Sequence, residues 1–283
     1  AEVSAVDVDA QGRVYILHRA GRRWIEPFPS ESITEPTVFV VDGLSGRLLA
    51  RWGAARFVMP HGLSIDPAGK VWITDVGREQ VFRFSAGGQL ELTLGERGVT
   101  GDDGGHFGRP TDVAFAGDEV FVSDGYLNHR VAVFDRNGRF LRQWGEQGAG
   151  PASLAIPHAI AVGGGMAFVA DREHSRIQIT DLAGKLLGNW PRSGATGHPY
   201  SLKLLADGRL VSVEGRDGHD RSGALVRVWG RNGSVERSLD LALPGEQASL
   251  GHDIAFGRDG FGYVADVYGG RVVKFALPPA KER

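Results

Sequence analysis

One unit recurs along this chain six times: an apolar alternating strand, a Gly/Asp turn, a second strand that ends in most copies on a carboxylate, and a third strand. The second to fourth copies show it best. Gly62-Leu63-Ser64-Ile65-Asp66 passes through a turn at Gly69 into Val71-Trp72-Ile73-Thr74-Asp75, and the second strand returns as Val120-Phe121-Val122-Ser123-Asp124 and Ala167-Phe168-Val169-Ala170-Asp171. Copies begin near Val3, Pro60, Pro110, Pro157, Pro199 and Gly251. Their length is that of a propeller blade, about 40 to 50 residues. No stretch sustains a helical period, and the strands are short and separated by turn residues. A blade cannot bury both of its faces alone, so blades stack, and a closed ring leaves no long open edge. The expectation is an all-β, six-bladed β-propeller in which residues 1–283 form a single domain. Length alone would allow two domains, but the repeat spans the whole chain. The last copy runs out at Val272-Val273-Lys274-Phe275, so its outer strand is either missing or supplied by another segment.

Composition narrows the function classes. The chain has no cysteine, which removes disulfides and thiolate metal sites. A net charge of −2 argues against a general nucleic-acid binder. No apolar run is long enough to suggest a membrane span, and a monomer is expected. The compartment stays open: secreted or periplasmic if a signal peptide has been removed, cytoplasmic otherwise.

The repeat exposes a column of residues just before each innermost strand: Ser4, His61, Thr111, His158, Tyr200 and His252. Histidine falls on every second blade. Blades step round the axis by about 60°, so these three side chains approach it from directions about 120° apart. Three imidazoles converging in this way leave one side of a metal ion open, as catalytic zinc sites do. Imidazole also suits iron, copper or nickel. Activity would then fall below about pH 6, where free imidazole protonates and competes with the metal. The other six histidines, among them His18, His198 and His219, lie in other registers and are expected in loop roles. A second column holds Asp75, Asp124, Asp171, Glu214 and Asp266 at the ends of second strands, and such carboxylates suit tight-turn N–H groups. Around that column the repeat varies, with Arg19, Tyr126 and Arg172. A tyrosine beside cationic groups can serve as a base, and arginines can grip a carboxylate or an oxyanion.

The strings Leu17-His18-Arg19, Met59-Pro60-His61-Gly62-Leu63, Pro110-Thr111-Asp112-Val113, Asp124-Gly125-Tyr126-Leu127-Asn128, Val169-Ala170-Asp171-Arg172 and Gly251-His252-Asp253 occur in that order. Together they resemble the peptidyl-α-hydroxyglycine α-amidating lyase family, a six-bladed propeller of the NHL-repeat type. The resemblance implies a catalytic zinc (or iron) on His61, His158 and His252, Tyr126 as the base, and Arg19 and Arg172 as cationic partners of the substrate. It also implies a structural calcium held by the Asp253 carboxylate and the backbone carbonyls of Val6 and Leu63. The reaction it implies is that of a carbon–nitrogen lyase, cleaving a peptide or small molecule with a C-terminal α-hydroxyglycine-like group to an amide and glyoxylate. Two other readings share the propeller: a metal-dependent hydrolase or lactonase, and a non-enzymatic NHL binding module.

Overall fold

The computed structural model describes residues 1–191, 197–215, 223–241 and 249–277. Six antiparallel sheets follow one another, each with its strands paired in sequence order. The innermost strands are Val3–Val8, Pro60–Ile65, Pro110–Ala116, Pro157–Gly163, Pro199–Leu204 and Gly251–Phe256. Each packs against the next, and the sixth packs against the first, which closes the ring. Blades one to five have four strands. The sixth has three, ending with Phe261–Asp266 and Arg271–Ala276, and no fourth strand joins it among the described residues. None of the described residues forms a helix long and apolar enough to cross a membrane.

Strand alternation sends side chains to both faces of every blade, and both faces are covered. Six apolar clusters fill the six gaps between neighbouring blades. Leu17 and Val38 of blade one meet Leu63, Ile73 and Phe82 of blade two. Trp72 and Val81 meet Val113 and Val122 across the next gap, and the pattern continues round the ring. The last gap joins Ala255, Tyr263 and Ala265 to Val3, Val6 and Val14. Burial of each such large side chain stabilises by about 1.5–3 kcal/mol, so the ring is held by its gaps. Polar ties reinforce the closing gap, where the Val6 N–H donates to Asp253 at 2.9 Å and Lys274 donates to the Gly43 carbonyl at 2.7 Å.

The aspartates of the carboxylate column clamp the loops that lead into the innermost strands of blades two, three, four and six. Asp75 accepts from the N–H groups of Val58 (2.6 Å), Met59 (2.9 Å) and Gly77 (2.9 Å). Asp171 takes the Ala155 N–H at 2.8 Å, and Asp266 takes the Leu250 N–H at 2.8 Å. These last three clamps therefore fix the backbone just ahead of the three histidines of the first column.

Candidate active site

The column residue interrupts strand pairing in every blade. Pairing partners step from Val3 to Ala5, from Pro60 to Leu63, from Pro110 to Asp112, from Pro157 to Ala159, from Pro199 to Ser201 and from Gly251 to Asp253. A bulged residue is unpaired and its side chain is re-aimed, here towards the axis. His61, His158 and His252 are all buried, and their ring centroids form a near-equilateral triangle with sides of 4.8, 4.7 and 4.8 Å.

What fixes the rings is the rest of the column. His61 Nδ1 bonds the Thr111 carbonyl at 2.8 Å, His158 Nδ1 the Tyr200 carbonyl at 2.7 Å, and His252 Nδ1 the Ser4 carbonyl at 2.7 Å. Each histidine thus uses the column residue of the following blade. Gly62 permits the first of these approaches, since a Cβ there would lie 2.3 Å from the Thr111 oxygen. Carbonyls only accept, so Nδ1 carries the proton and Nε2 keeps its lone pair. Burial, with neighbouring imidazoles and Arg19 and Arg172, holds His61 and His158 well below the ordinary histidine pKa, and burial pushes His252 down to about 3. All three are neutral near pH 7. One ring nitrogen from each lies within 4.8 Å of the others, and this is the sole group of three metal-capable side chains among the described residues. Neutral imidazoles whose second N–H is anchored on a carbonyl are what a divalent metal requires. The histidine set fits zinc or iron.

Tyr126 stands over this triangle. Its hydroxyl is 3.1 Å from His61 Nε2, 3.2 Å from His158 Nε2 and 3.4 Å from an Arg172 nitrogen. The Arg172 guanidinium lies between two rings, 5.3 Å from the centroids of both Tyr126 and Tyr200. It also bonds Glu173 at 2.9 Å, and its carbonyl takes a 2.7 Å bond from His198. Arg19 is buried on the opposite side, bonded to Glu2 at 2.6 Å and to the Pro60 carbonyl at 3.1 Å. Its second terminal nitrogen, Nη2, is buried without a hydrogen-bond partner. Arg19, Trp24, Tyr126, Arg172, Tyr200 and His252 all line one cavity of about 170 Å³.

Trp24 and Tyr200 join the site without having been singled out as site residues from the sequence. Trp24 sits 5.1 Å from the Tyr126 ring and 5.1 Å from the Arg19 guanidinium, while Tyr200 packs 5.2 Å from His158. Tyr200 could have been found from its place in the histidine column; Trp24 arrives on a loop whose path depends on tertiary contacts. His198 keeps a loop position ahead of Pro199 but is buried there, bonding the Arg172 carbonyl. His18 keeps a loop role, accepting the Ala20 N–H at 3.1 Å, and His219 lies outside the described residues.

The calcium set behaves differently. Asp253 and Val6 do meet, but through the Val6 N–H. The other Asp253 oxygen accepts from Ser201 at 2.7 Å and from the Ile254 N–H at 2.8 Å. Calcium wants six to eight oxygen ligands. Here Asp253 is the one carboxylate of the set, three donors already share its oxygens, and the Lys203 ammonium is close enough for Asp253 to help raise its pKa. As it stands, this set does not fit calcium.

A family model described as a six-bladed beta-propeller matches residues 99–188, and an NHL-repeat model matches residues 57–84. The solved structures show the same architecture at low identity. A gluconolactonase of Xanthomonas campestris superposes with a TM-score of 0.68 at 17% identity, covering 98% of this chain and 86% of that one. A virginiamycin B lyase of Staphylococcus aureus gives 0.60 at 13%, covering 97% and 84%. Sequence relatives are nearer. Peptidyl-glycine alpha-amidating monooxygenase A of Xenopus laevis is 33% identical over 100% of this chain, which spans only 32% of that longer protein. Peptidyl-alpha-hydroxyglycine alpha-amidating lyase 2 of Drosophila melanogaster is 38% identical over 62% of this chain and 47% of its own length. A probable peptidyl-alpha-hydroxyglycine alpha-amidating lyase of Caenorhabditis elegans is 32% identical over 98% of this chain and 83% of its own length. With a match that runs nearly end to end in both proteins, this chain belongs to the peptidyl-α-hydroxyglycine α-amidating lyase family.

Proposed function

We propose that this chain cleaves the carbon–nitrogen bond of a C-terminal α-hydroxyglycine-like carbinolamide, with a zinc or iron ion on His61, His158 and His252. The observation that carries the reading is the Tyr126 hydroxyl held between two imidazole Nε2 atoms, beside Arg172, at the mouth of a cavity that Arg19 also lines. When bound, the metal supplies Lewis-acid stabilisation of the oxygen that loses its proton.

The residues divide the remaining work. Arg19 offers its unpartnered buried nitrogen to the substrate carboxylate, an arrangement that suits a charge-assisted bond. Tyr126, as a phenolate paired with the adjacent Arg172 guanidinium, takes the proton of the substrate hydroxyl and becomes the neutral phenol. As the carbonyl forms, the C–N bonding pair passes to the amide nitrogen. Tyr126 returns its proton there, so R-CO-NH-CH(OH)-COO⁻ becomes R-CO-NH₂ and glyoxylate. Trp24 and Tyr200 wall the cavity with aromatic surface and keep bulk water from the exchange.

The test is metal content by mass spectrometry together with glyoxylate release from α-hydroxyhippurate, for wild type and His158→Ala. About one transition metal per chain and measurable turnover, both lost in the variant, are expected. Wild type that takes up metal yet releases no glyoxylate would shift the reading to a hydrolase or lactonase. No metal even after reconstitution would leave a binding module.

A further inference from the structure

Beneath the histidines the channel is lined by a second set of charged residues that the lyase chemistry does not use. Asp112 and Asp253 stand one residue beyond the histidine column on their innermost strands, and Asp7 and Lys203 stand three beyond it. The three carboxylates bind blades together. Asp253 accepts the Val6 N–H, Asp7 accepts the Ile65 N–H at 2.8 Å, and Asp112 accepts the Ile160 N–H at 3.1 Å. Each bond crosses from one blade to the next and satisfies a strand edge that would otherwise face the channel. Every one of the six carboxylate oxygens has at least one donor, counting Val8 N–H on Asp7, Ser64 and Val113 N–H on Asp112, and Ser201 and Ile254 N–H on Asp253.

Three carboxylates drawn together in a narrow channel repel one another and call for a cation. The chain brings one of its own. Lys203 Nζ lies 3.5 Å from Asp7 Oδ2, with the two side chains 27% and 13% exposed. Asp253 and Asp112 also act on this ammonium, and with Asp7 they outweigh its burial and hold its pKa above the usual lysine value. A divalent ion bound at Asp253 would share its oxygens with three donors and sit beside a fixed positive charge.

We propose that Lys203 is the resident cation of this channel: its ammonium neutralises the carboxylates that tie the blades together, and the fold needs no calcium there. The proposal does not depend on the lyase reading.

It is tested on chelator-stripped protein resupplied with zinc, by thermal unfolding with and without added calcium and by equilibrium dialysis against calcium. Wild type is expected to bind no stoichiometric calcium and to keep its Tm. Lys203→Met is expected to lose about 5 °C or more and to regain part of it when calcium is added. Should Lys203→Met fail to fold, Asp7→Asn/Lys203→Met, which removes both charges, is expected to recover a folded protein. One calcium per wild-type chain with a rise in Tm would overturn the proposal. So would a Lys203→Met variant as stable as wild type, one whose loss calcium leaves untouched, or a double variant no better than the single.

Discussion

At the scale of single residues, the histidine column explains its own alternation. A histidine on every blade would crowd six rings onto one axis. With Thr111, Tyr200 and Ser4 between them, each histidine finds a carbonyl at 2.7–2.8 Å and turns Nε2 inward. Tyr126→Phe removes the proposed base but no metal ligand. Turnover should drop by about 10²- to 10⁴-fold with metal content unchanged, and a variant that retains activity would remove Tyr126 from the mechanism. The two arginines should separate kinetically. Arg19→Ala is expected to raise KM by about 10- to 100-fold, the worth of a charged hydrogen bond. Arg172→Ala is expected to lower kcat and move the acidic limb of the pH profile to higher pH, since the lost cation favours the basic form of Tyr126. The reverse assignment would show as the reverse split. The histidines, Tyr126 and both arginines were legible in the sequence because repeat register or motif marks them. Which arginine does what was not, because it turns on an unpaired nitrogen and a 3.4 Å contact that no spacing encodes.

At the scale of strands and turns, the site is built by an irregularity and a clamp acting together. The bulge at each column position turns the side chain inward, and the carboxylate at the end of the second strand pins the loop leading to it. Asp75→Ala would leave the N–H groups of Val58, Met59 and Gly77 without their acceptor, at a cost of about 1–3 kcal/mol for each that water cannot reach. Because Val58 and Met59 lead into Pro60-His61, zinc affinity should fall by about 10- to 100-fold, as for other groups that orient metal ligands. Chemical denaturation and a zinc competition assay measure the two effects. Unchanged values would mean that apolar packing of Val58, Met59 and Val76 holds the loop by itself. The turn role of the carboxylates follows from sequence, since Asp at a strand end is a turn signal. The bulges do not, because they reflect how the two strands of a twisted blade must meet the channel.

At the scale of the whole molecule, ring closure sets both stability and its pH dependence. Histidines His61, His158 and His252 are neutral in the folded protein and protonate freely when unfolded. Below the unfolded value of about 6.5 the unfolded chain binds more protons, so stability is lost as pH falls. For metal-free protein the decline should begin near pH 6.5 and continue towards about 3, the value to which burial pushes His252. Denaturant midpoints across that range check it, and a flat profile would mean that the imidazoles are solvated. The same burial modifies the expectation that activity falls below about pH 6: in the folded site protonation is resisted, so the fall belongs at lower pH.

The repeat, the blade count, the histidine register and the polar motif residues were determined by the sequence alone, because they are periodic and local. Strand alternation and turn chemistry act over a few residues, and a period can be read without knowing where it leads. The tertiary structure decided what meets across the axis. His252 bonds a carbonyl 248 residues away and Asp253 an N–H 247 residues away, Trp24 folds over Tyr126, and Lys203 faces Asp7 from another blade. Those contacts exist only once six apolar gaps have closed the ring, since packing between blades, and not any local preference, brings their innermost strands to one channel.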